Sequence, residues 1–428
     1  MHGSRIASRP ELTPDMSELL QHWSTLVPSA AKGEADSAVR RRAMDLALAA
    51  DLPHGRVEAW KYTSLRALAR RTPALLSPVT VDATLLAGIP TPRIVFVNGH
   101  LDAQATAVDN IAGLHIEPRA VAQVFEFDGP AHALNQVNAA LDMGGVDIRV
   151  TGMIDSPLHL VWISDSTQSE GSQHNLHRIV LSADSRLNLV ESVRSNGAHL
   201  HIGTARMEIN LGEQSELHHA RVQRDDEGAS WFLRTEVTLQ ARSTYRRVDV
   251  ELGSALSRHE LVMHINGDGA RVFSNGILFG DGKRHLDTRL AITHSAQHTG
   301  CELNWRGLGT GRSRIAFYGG ITIDAGADHT EAALSNRNLL LSEQAEIDTQ
   351  PVLVIHADEV QAAHGATVGQ LDANSLFYLR SRGIDDHTAR TLLVAAFVHE
   401  LLNLIEDEPT RTAFATFLDG ALDRVEFV

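Results

Sequence analysis

One short pattern recurs through the middle of this chain: an apolar residue, three positions, Ser or Ala, one position, then another apolar residue. It stands as Leu181-Ser-Ala-Asp-Ser-Arg-Leu187, Leu211-Gly-Glu-Gln-Ser-Glu-Leu217, Leu239-Gln-Ala-Arg-Ser-Thr-Tyr245 and Leu341-Ser-Glu-Gln-Ala-Glu-Ile347. The first three begin 30 and 28 residues apart, and a looser copy, Ile265-Asn-Gly-Asp-Gly-Ala-Arg-Val272, follows 26 residues later. A period of this length marks stacked architectures, in which each repeat buries its apolar face only against its neighbours. Short alternating segments such as Leu187-Asn-Leu-Val-Glu-Ser-Val fill the intervals. Tight corners between short strands suit a mainly β chain built as a solenoid of parallel sheets. A β-sandwich is the rival, but its turns come every ~8–12 residues without a longer register.

The repeat texture spans about 146–370, and both flanks read as helix. Residues 1–90 form an N-terminal helical region, 91–145 a mixed connection, and 371–428 a C-terminal helical region. Leu19, Leu20, Trp23, Leu26 and Val27 share one helical face, which Pro28 is expected to end. A second helix covers about 35–51, and the aromatic stretch Glu58-Ala-Trp-Lys-Tyr-Thr-Ser-Leu65 precedes a further short helix. Residues 92–98 read as a first strand closed by Asn98-Gly99 as a turn. Near the end, Asp372 to Gly383 carries a cap at each end. A helix through Leu392, Leu393, Phe397, Leu401 and Ile405 then follows, apolar almost all round and so expected to be buried on several sides. A third helix, about 409–424, covers part of it. Methionines and aromatics of the terminal helices read as core.

Composition excludes several functions. A formal charge of −15, with Arg40-Arg41-Arg42 the longest basic run, argues against nucleic acid, whose phosphates need clustered cations. The single cysteine, Cys301, allows no internal disulfide and no thiolate-held metal centre, and reads as a small buried apolar residue. No run of ~18 apolar residues exists to span a membrane. The first residues lack an apolar signal core, and Met16 is a plausible alternative start. These features imply a reducing, cytoplasmic compartment. There is no phosphate-binding G-x-x-x-x-G-K-[ST] loop, no H-E-x-x-H and no G-x-S-x-G, which argues against a self-contained enzyme.

Histidine is abundant, at 23 residues. His199 and His201 would share a face if on a strand. His218-His219 and the group His285, His294 and His298 are further clusters, each more simply read as hydrogen-bonded sheet polarity. The segment His356-Ala-Asp-Glu-Val-Gln-Ala-Ala-His364-Gly365 differs in context, because it lies between the last strand-like segment and the terminal helices. Imidazole and carboxylate are both competent iron ligands. At this level a β-helical polysaccharide-active enzyme and a stand-alone metal-binding protein both remain open.

Several stretches together resemble the SufB/SufD scaffold family of iron–sulfur cluster assembly. They are Trp60-Lys-Tyr-Thr63, His285-Leu-Asp287, Thr293-His294, Asn338-Leu-Leu-Leu-Ser342, Pro351-Val-Leu-Val-Ile355, Asp358-Glu-Val360, His364-Gly365 and Leu376-Phe-Tyr-Leu-Arg-Ser-Arg-Gly-Ile384. The resemblance implies a right-handed parallel β-helix between helical terminal regions. It implies a non-enzymatic subunit that pairs with a SufB-like paralogue and binds a SufC-like ABC-type ATPase. It also implies a transient iron–sulfur cluster shared with the paralogue; the exposed ends of such a solenoid would allow self-pairing as a homodimer when the partner is absent. His364 matches the family histidine facing the paralogue, with His356, Asp358 and Glu359 as weaker ligand candidates. Phe377, Tyr378, Arg380, Arg382 and Phe397 fall in the region implied to bind the ATPase. Some members carry cysteine two residues before this histidine; here that position is Ala362, so any thiolate must come from the partner.

Overall fold

The structure is a computed structural model that describes residues 17–30, 34–108, 110–119 and 129–425. Met16 and the residues before it lie outside that range. Two helices, α1 (Glu18–Ala30) and α2 (Glu34–Ala50), come first. Strands β1 (Arg93–Val97) and β2 (His100–Leu101) form a hairpin, followed by β3 (Leu114–Pro118) and α3 (Ala133–Leu141). The chain then winds through β4 (Val146–Val150), β5 (Met153–Asp165), β6 (Ser172–Leu181), β7 (Arg186–Asn196), β8 (Ile202–Leu211) and β9 (Glu216–Gln223). It continues through β10 (Ser230–Leu239), β11 (Thr244–Glu251), β12 (Leu256–Ile265), β13 (Arg271–Gly280) and β14 (His285–His294). The last strands are β15 (Gly300–Gly309), β16 (Arg314–Ile323), β17 (Glu331–Leu340), β18 (Glu346–Ile355) and β19 (Gln361–Gly369). Helices α4 (Ala373–Ser381), α5 (Asp386–His399) and α6 (Glu408–Leu422) end the chain.

Odd strands from β5 to β19 stack in one sheet and even strands from β4 to β18 in another. Pairing within both is parallel, and only β1–β2 and β3–β4 are antiparallel. The result is a parallel β-solenoid of about eight turns. The ten-stranded sheet reaches back to β1 and β2, so the stack begins earlier than the repeat texture alone indicates.

The repeated motif is the corner from the nine-stranded to the ten-stranded sheet. The residue before its small one has positive φ at six successive corners: Asp184, Gln214, Arg242, Gly269, His298 and His329. The next residue is the small one of the motif, and Ser185, Ser215, Ser243, Ala270, Thr299 and Thr330 are all buried. Ser185 Oγ donates back to the Ser182 carbonyl at 2.7 Å, and Ser215 and Ser243 repeat the bond at 2.8 and 2.7 Å. A buried hydroxyl needs such a partner, and the turn supplies one locally. The fourth match, Leu341–Ile347, lies instead between β17 and β18 on the opposite corner. Tight turn-to-turn packing also fixes some glycines: a Cβ on Gly276 would come within 2.1 Å of the Trp305 ring one turn on.

Both outer faces are clad. The helices α1 to α3 pack with Ile202, Phe232 and Leu256 of the nine-stranded sheet. The helix α1 runs two residues past Pro28, because a proline in the last turn removes a single hydrogen bond. Residues 66–70 form turns rather than the expected short helix. On the other face, Val248, Val250, Ile277 and Phe279 pack against Val394, Val398, Leu402, Phe414 and Leu418. The apolar helix expected to reach Ile405 breaks at His399 into a 3-10 turn over Glu400–Leu404. That break lets Leu401 and Leu402 seat against the sheet, while Leu392 stays 48% exposed. Phe377 and Tyr378, read as core aromatics, are 75% and 57% exposed. Among the described residues no helix is long and apolar enough to cross a membrane.

Candidate functional site at the open end of the solenoid

Strands β18 and β19 end their sheets, with no further strand on their outer edges among the described residues. Alternation along β19 is set by its register with β17, Ala362 beside Ala332 and His364 beside Leu334. Leu334 and its neighbour Leu303 belong to the core inside the coil. His364 therefore stands in an inward-facing column, yet it is exposed because no turn covers it. With Arg271, Cys301, Glu331 and Arg337 it lines an open cavity of about 1160 Å³.

The structure does not gather the four candidate ligands. His356 follows β18 and its N–H donates to the Ile323 carbonyl at 2.8 Å. Asp358 and Glu359 occupy the corner. Three strand steps of ~3.3 Å separate Gln361 from His364, placing the imidazole ~10 Å further along the strand. Two triads of metal-competent side chains do have ligand atoms within 4.8 Å of one another: Glu216–His218–Glu406 and Asp249–Glu251–His259. His364 is in neither.

Both triads are already neutralised. In the first, Arg186 pairs with Glu406 at 2.9 Å and Arg246 with Glu216 at 3.3 Å, tying the segment before α6 to the sheet. The second lies inside the coil. Arg247 grips Asp249 with two bonds of 2.6 and 2.8 Å, and Arg221 reaches Glu251 at 3.1 Å. His219 bonds Glu191 at 3.1 Å, and His259 bonds Glu251 at 2.7 Å. Burial opposes the Glu191 carboxylate, but the His219 hydrogen bond and Arg221 overcome it and hold its pKa far below the usual range. Burial, reinforced by Arg247, lowers His219 to about 4.

The histidine pair His199 and His201 sits on a corner rather than a strand. The rings stack at 4.0 Å, His199 Nε2 bonding Asp225 at 2.9 Å and His201 Nε2 bonding the Gln168 carbonyl at 2.7 Å. Cys301 is buried as expected. It shares a column with Ala332 and Ala362, two turns in from the open end. Burial pushes its thiol up to about 12, and His294 Nε2 lies 3.3 Å away. A protonated thiol is a poor nucleophile and metal ligand.

Two of the quoted sequence motifs touch. Thr63 Oγ1 donates to the Asp287 carboxylate and lies 3.3 Å from His285 Nε2. Arg258 pairs with the same carboxylate and covers the Trp60 ring at 3.8 Å. The signal in the sequence was the pair of motifs, not any property of either alone.

Against known proteins, residues 163–397 match the family model described as SUF system FeS cluster assembly, SufBD core domain. That is more than half of the chain. It belongs to the SufB/SufD family. It is 28% identical to an iron–sulfur cluster assembly SufBD family protein of Synechocystis over 86% of each chain. Identity to the iron–sulfur cluster assembly protein SufD of Escherichia coli is 27%, covering 92% of this chain and 95% of that one. The Bacillus subtilis SufD is 25% identical over about two thirds of each chain. Membership of the SufB/SufD family ties the chain to iron–sulfur cluster assembly. The match covers β6 to β19 and runs through α4 into α5, so it includes the open end.

Proposed function

We propose that this chain is a non-enzymatic, SufD-type subunit of a cytoplasmic iron–sulfur cluster assembly scaffold. It pairs with a SufB-like paralogue through the free edges of β18 and β19, and the growing cluster is its cargo. The observation that carries the reading is His364: an inward-facing imidazole on the last, uncovered turn. A second solenoid placed edge to edge would continue both sheets and turn that exposed column into an interior one. His364 would then offer an imidazole nitrogen to iron inside a shared site. Ala362 offers no ligand and Cys301 is buried and protonated, so thiolate comes from the partner. His356, Asp358 and Glu359 lie on the corner and would serve the approach of iron rather than share an ion with His364.

The C-terminal helices would carry the SufC-like ATPase. Phe377 and Tyr378 are large exposed aromatics on one short helix, the kind of residue that anchors interfaces. Arg382 lies over the Tyr378 ring at 5.2 Å, and Arg380 pairs with Asp386 at 3.3 Å. Phe397 is half-buried under Arg306 at 4.7 Å, so its part is to hold α5 in place. Without a paralogue, the same free edges would support a homodimer.

The test is iron and acid-labile sulfide in the complex co-purified with SufB-like and SufC-like partners, wild type against His364→Ala. The expected result is an intact complex that has lost most of its iron. Unchanged iron and sulfide in an intact complex would sink the ligand role.

A further inference from the structure

One corner adds two histidines that the sections above leave without a task to the carboxylates of Asp358 and Glu359. The positive-φ ladder closes with His298 and His329, and the Glu359 carbonyl accepts the His329 N–H at 2.6 Å. Neighbouring strands lie ~4.8 Å apart, so the two rings stack, with centroids 4.7 Å apart and planes 18° from parallel. His329 Nδ1 stands 3.5 Å from Glu359 Oε2. An open cavity of about 540 Å³ is lined by both imidazoles together with Asp358 and Glu359. Arg271 borders it too, but is paired with Glu331 at 3.2 Å.

The 3.5 Å separation is informative. It is longer than the ~2.7–3.2 Å of an N–H···O hydrogen bond. Two ligands ~2.1 Å from a tetrahedral ion stand ~3.4 Å apart, which fits. Two imidazoles and two carboxylates around one opening are a donor set for late first-row divalent ions. The His329 side chain is half exposed and that of Glu359 73% exposed, leaving an ion free to enter.

We propose that this corner binds a divalent first-row transition-metal ion, with His329 and Glu359 as adjacent ligands. His298 is the third ligand, reached by a turn of its exposed ring, and Asp358 completes the set. The site is separate from His364, needs no partner chain, and does not depend on the cluster-assembly reading.

The experiment is calorimetric titration of Zn²⁺ into the purified full chain, repeated with Co²⁺ to read the ligand-field spectrum. The variants are the double substitution His298→Ala with His329→Ala, the single Glu359→Gln, and His364→Ala. Wild type is expected to take up one Zn²⁺ and to show a tetrahedral Co²⁺ band. The double variant and Glu359→Gln should each bind at least ~10-fold more weakly, since even outer ligands tune metal affinity by 10–100-fold. His364→Ala should bind as wild type does. No uptake by wild type, or equal uptake by wild type and Glu359→Gln, overturns the proposal. So does loss of binding in His364→Ala alone. Circular dichroism checks that each variant is folded, and Glu359→Gln keeps the test decisive should the double variant not be.

Discussion

At its first turn the solenoid is closed by the β1–β2 hairpin and the antiparallel β3, and four of the five residues of β1 are buried. Phe96 stacks there on Trp162 at 5.5 Å, and the His177 ring meets both edge-on. At the last turn no residue of β18 or β19 is buried. Val354, Ile355 and Val368 expose apolar side chains there. Nevertheless β19 keeps nine register pairs with β17, from Gln361 to Gly369. A fully formed but bare edge fits the proposed pairing with another chain, since natural sheets otherwise blunt such edges. The closed end is where stability resides, and the open end is where it can be forgone.

Acid should produce the largest loss, and it acts on the closed body. Burial lowers His174 and His177 to about 3. It also lowers His219 and His294 to about 4. Unfolded, these groups titrate near 6.5, so the unfolded chain binds more protons below that value. Stability is then complete above about pH 6.5 and falls as pH drops toward 4, by up to ~1.4 kcal/mol per unit for each group. Urea midpoints measured from pH 7.5 to 4 should slope steeply; a flat profile would mean that these rings are solvated.

Next in size is the ion pair inside the coil. Arg247→Met strands the buried Asp249 and should cost ~3–5 kcal/mol by denaturant unfolding. Adding Asp249→Leu should restore most of the loss, and no restoration would break the account of the lumen as a balanced charge network. Thr63→Val removes one donor from buried Asp287 and should cost ~1–2 kcal/mol. Smallest is Val368→Lys on the open turn, expected to change the chain's own stability by no more than ~0.5 kcal/mol. The same substitution should sharply weaken co-purification with the paralogue. Equal effects of Val368→Lys and Arg247→Met on folding would erase the contrast between the covered body and the bare last turn.

The repeat was legible because each corner buries its serine or alanine while exposing polar neighbours. The opposite corner could not be told apart, since Leu341–Ile347 meets the same pattern with Ala345. The lumenal charges were hidden for a definite reason. In Tyr245-Arg-Arg-Val-Asp-Val-Glu251 the valines alternate with the charges, and nothing in the pattern says which set is inside. The C-terminal helices cover the valine face, so Arg247, Asp249 and Glu251 turn inward. Alternation shows that two faces differ but not which faces the lumen when both are covered. His364 was legible as a position by its resemblance to the family. Its separation from Asp358 and Glu359 was not, because the ten residues from His356 to Gly365 conceal where the strand begins.

The pin between Thr63 and Asp287 also bears on how the chain is made. The two residues are 224 positions apart. At ~5–20 residues per second, a ribosome needs about 10–45 s to reach the second after the first. Trp60, buried in the finished protein, waits through most of that interval for Phe232 and then Arg258 to lie against. The Trp60–Thr63 segment thus docks late, and nascent chains that stall before β10 carry an aromatic without either partner for chaperones to hold.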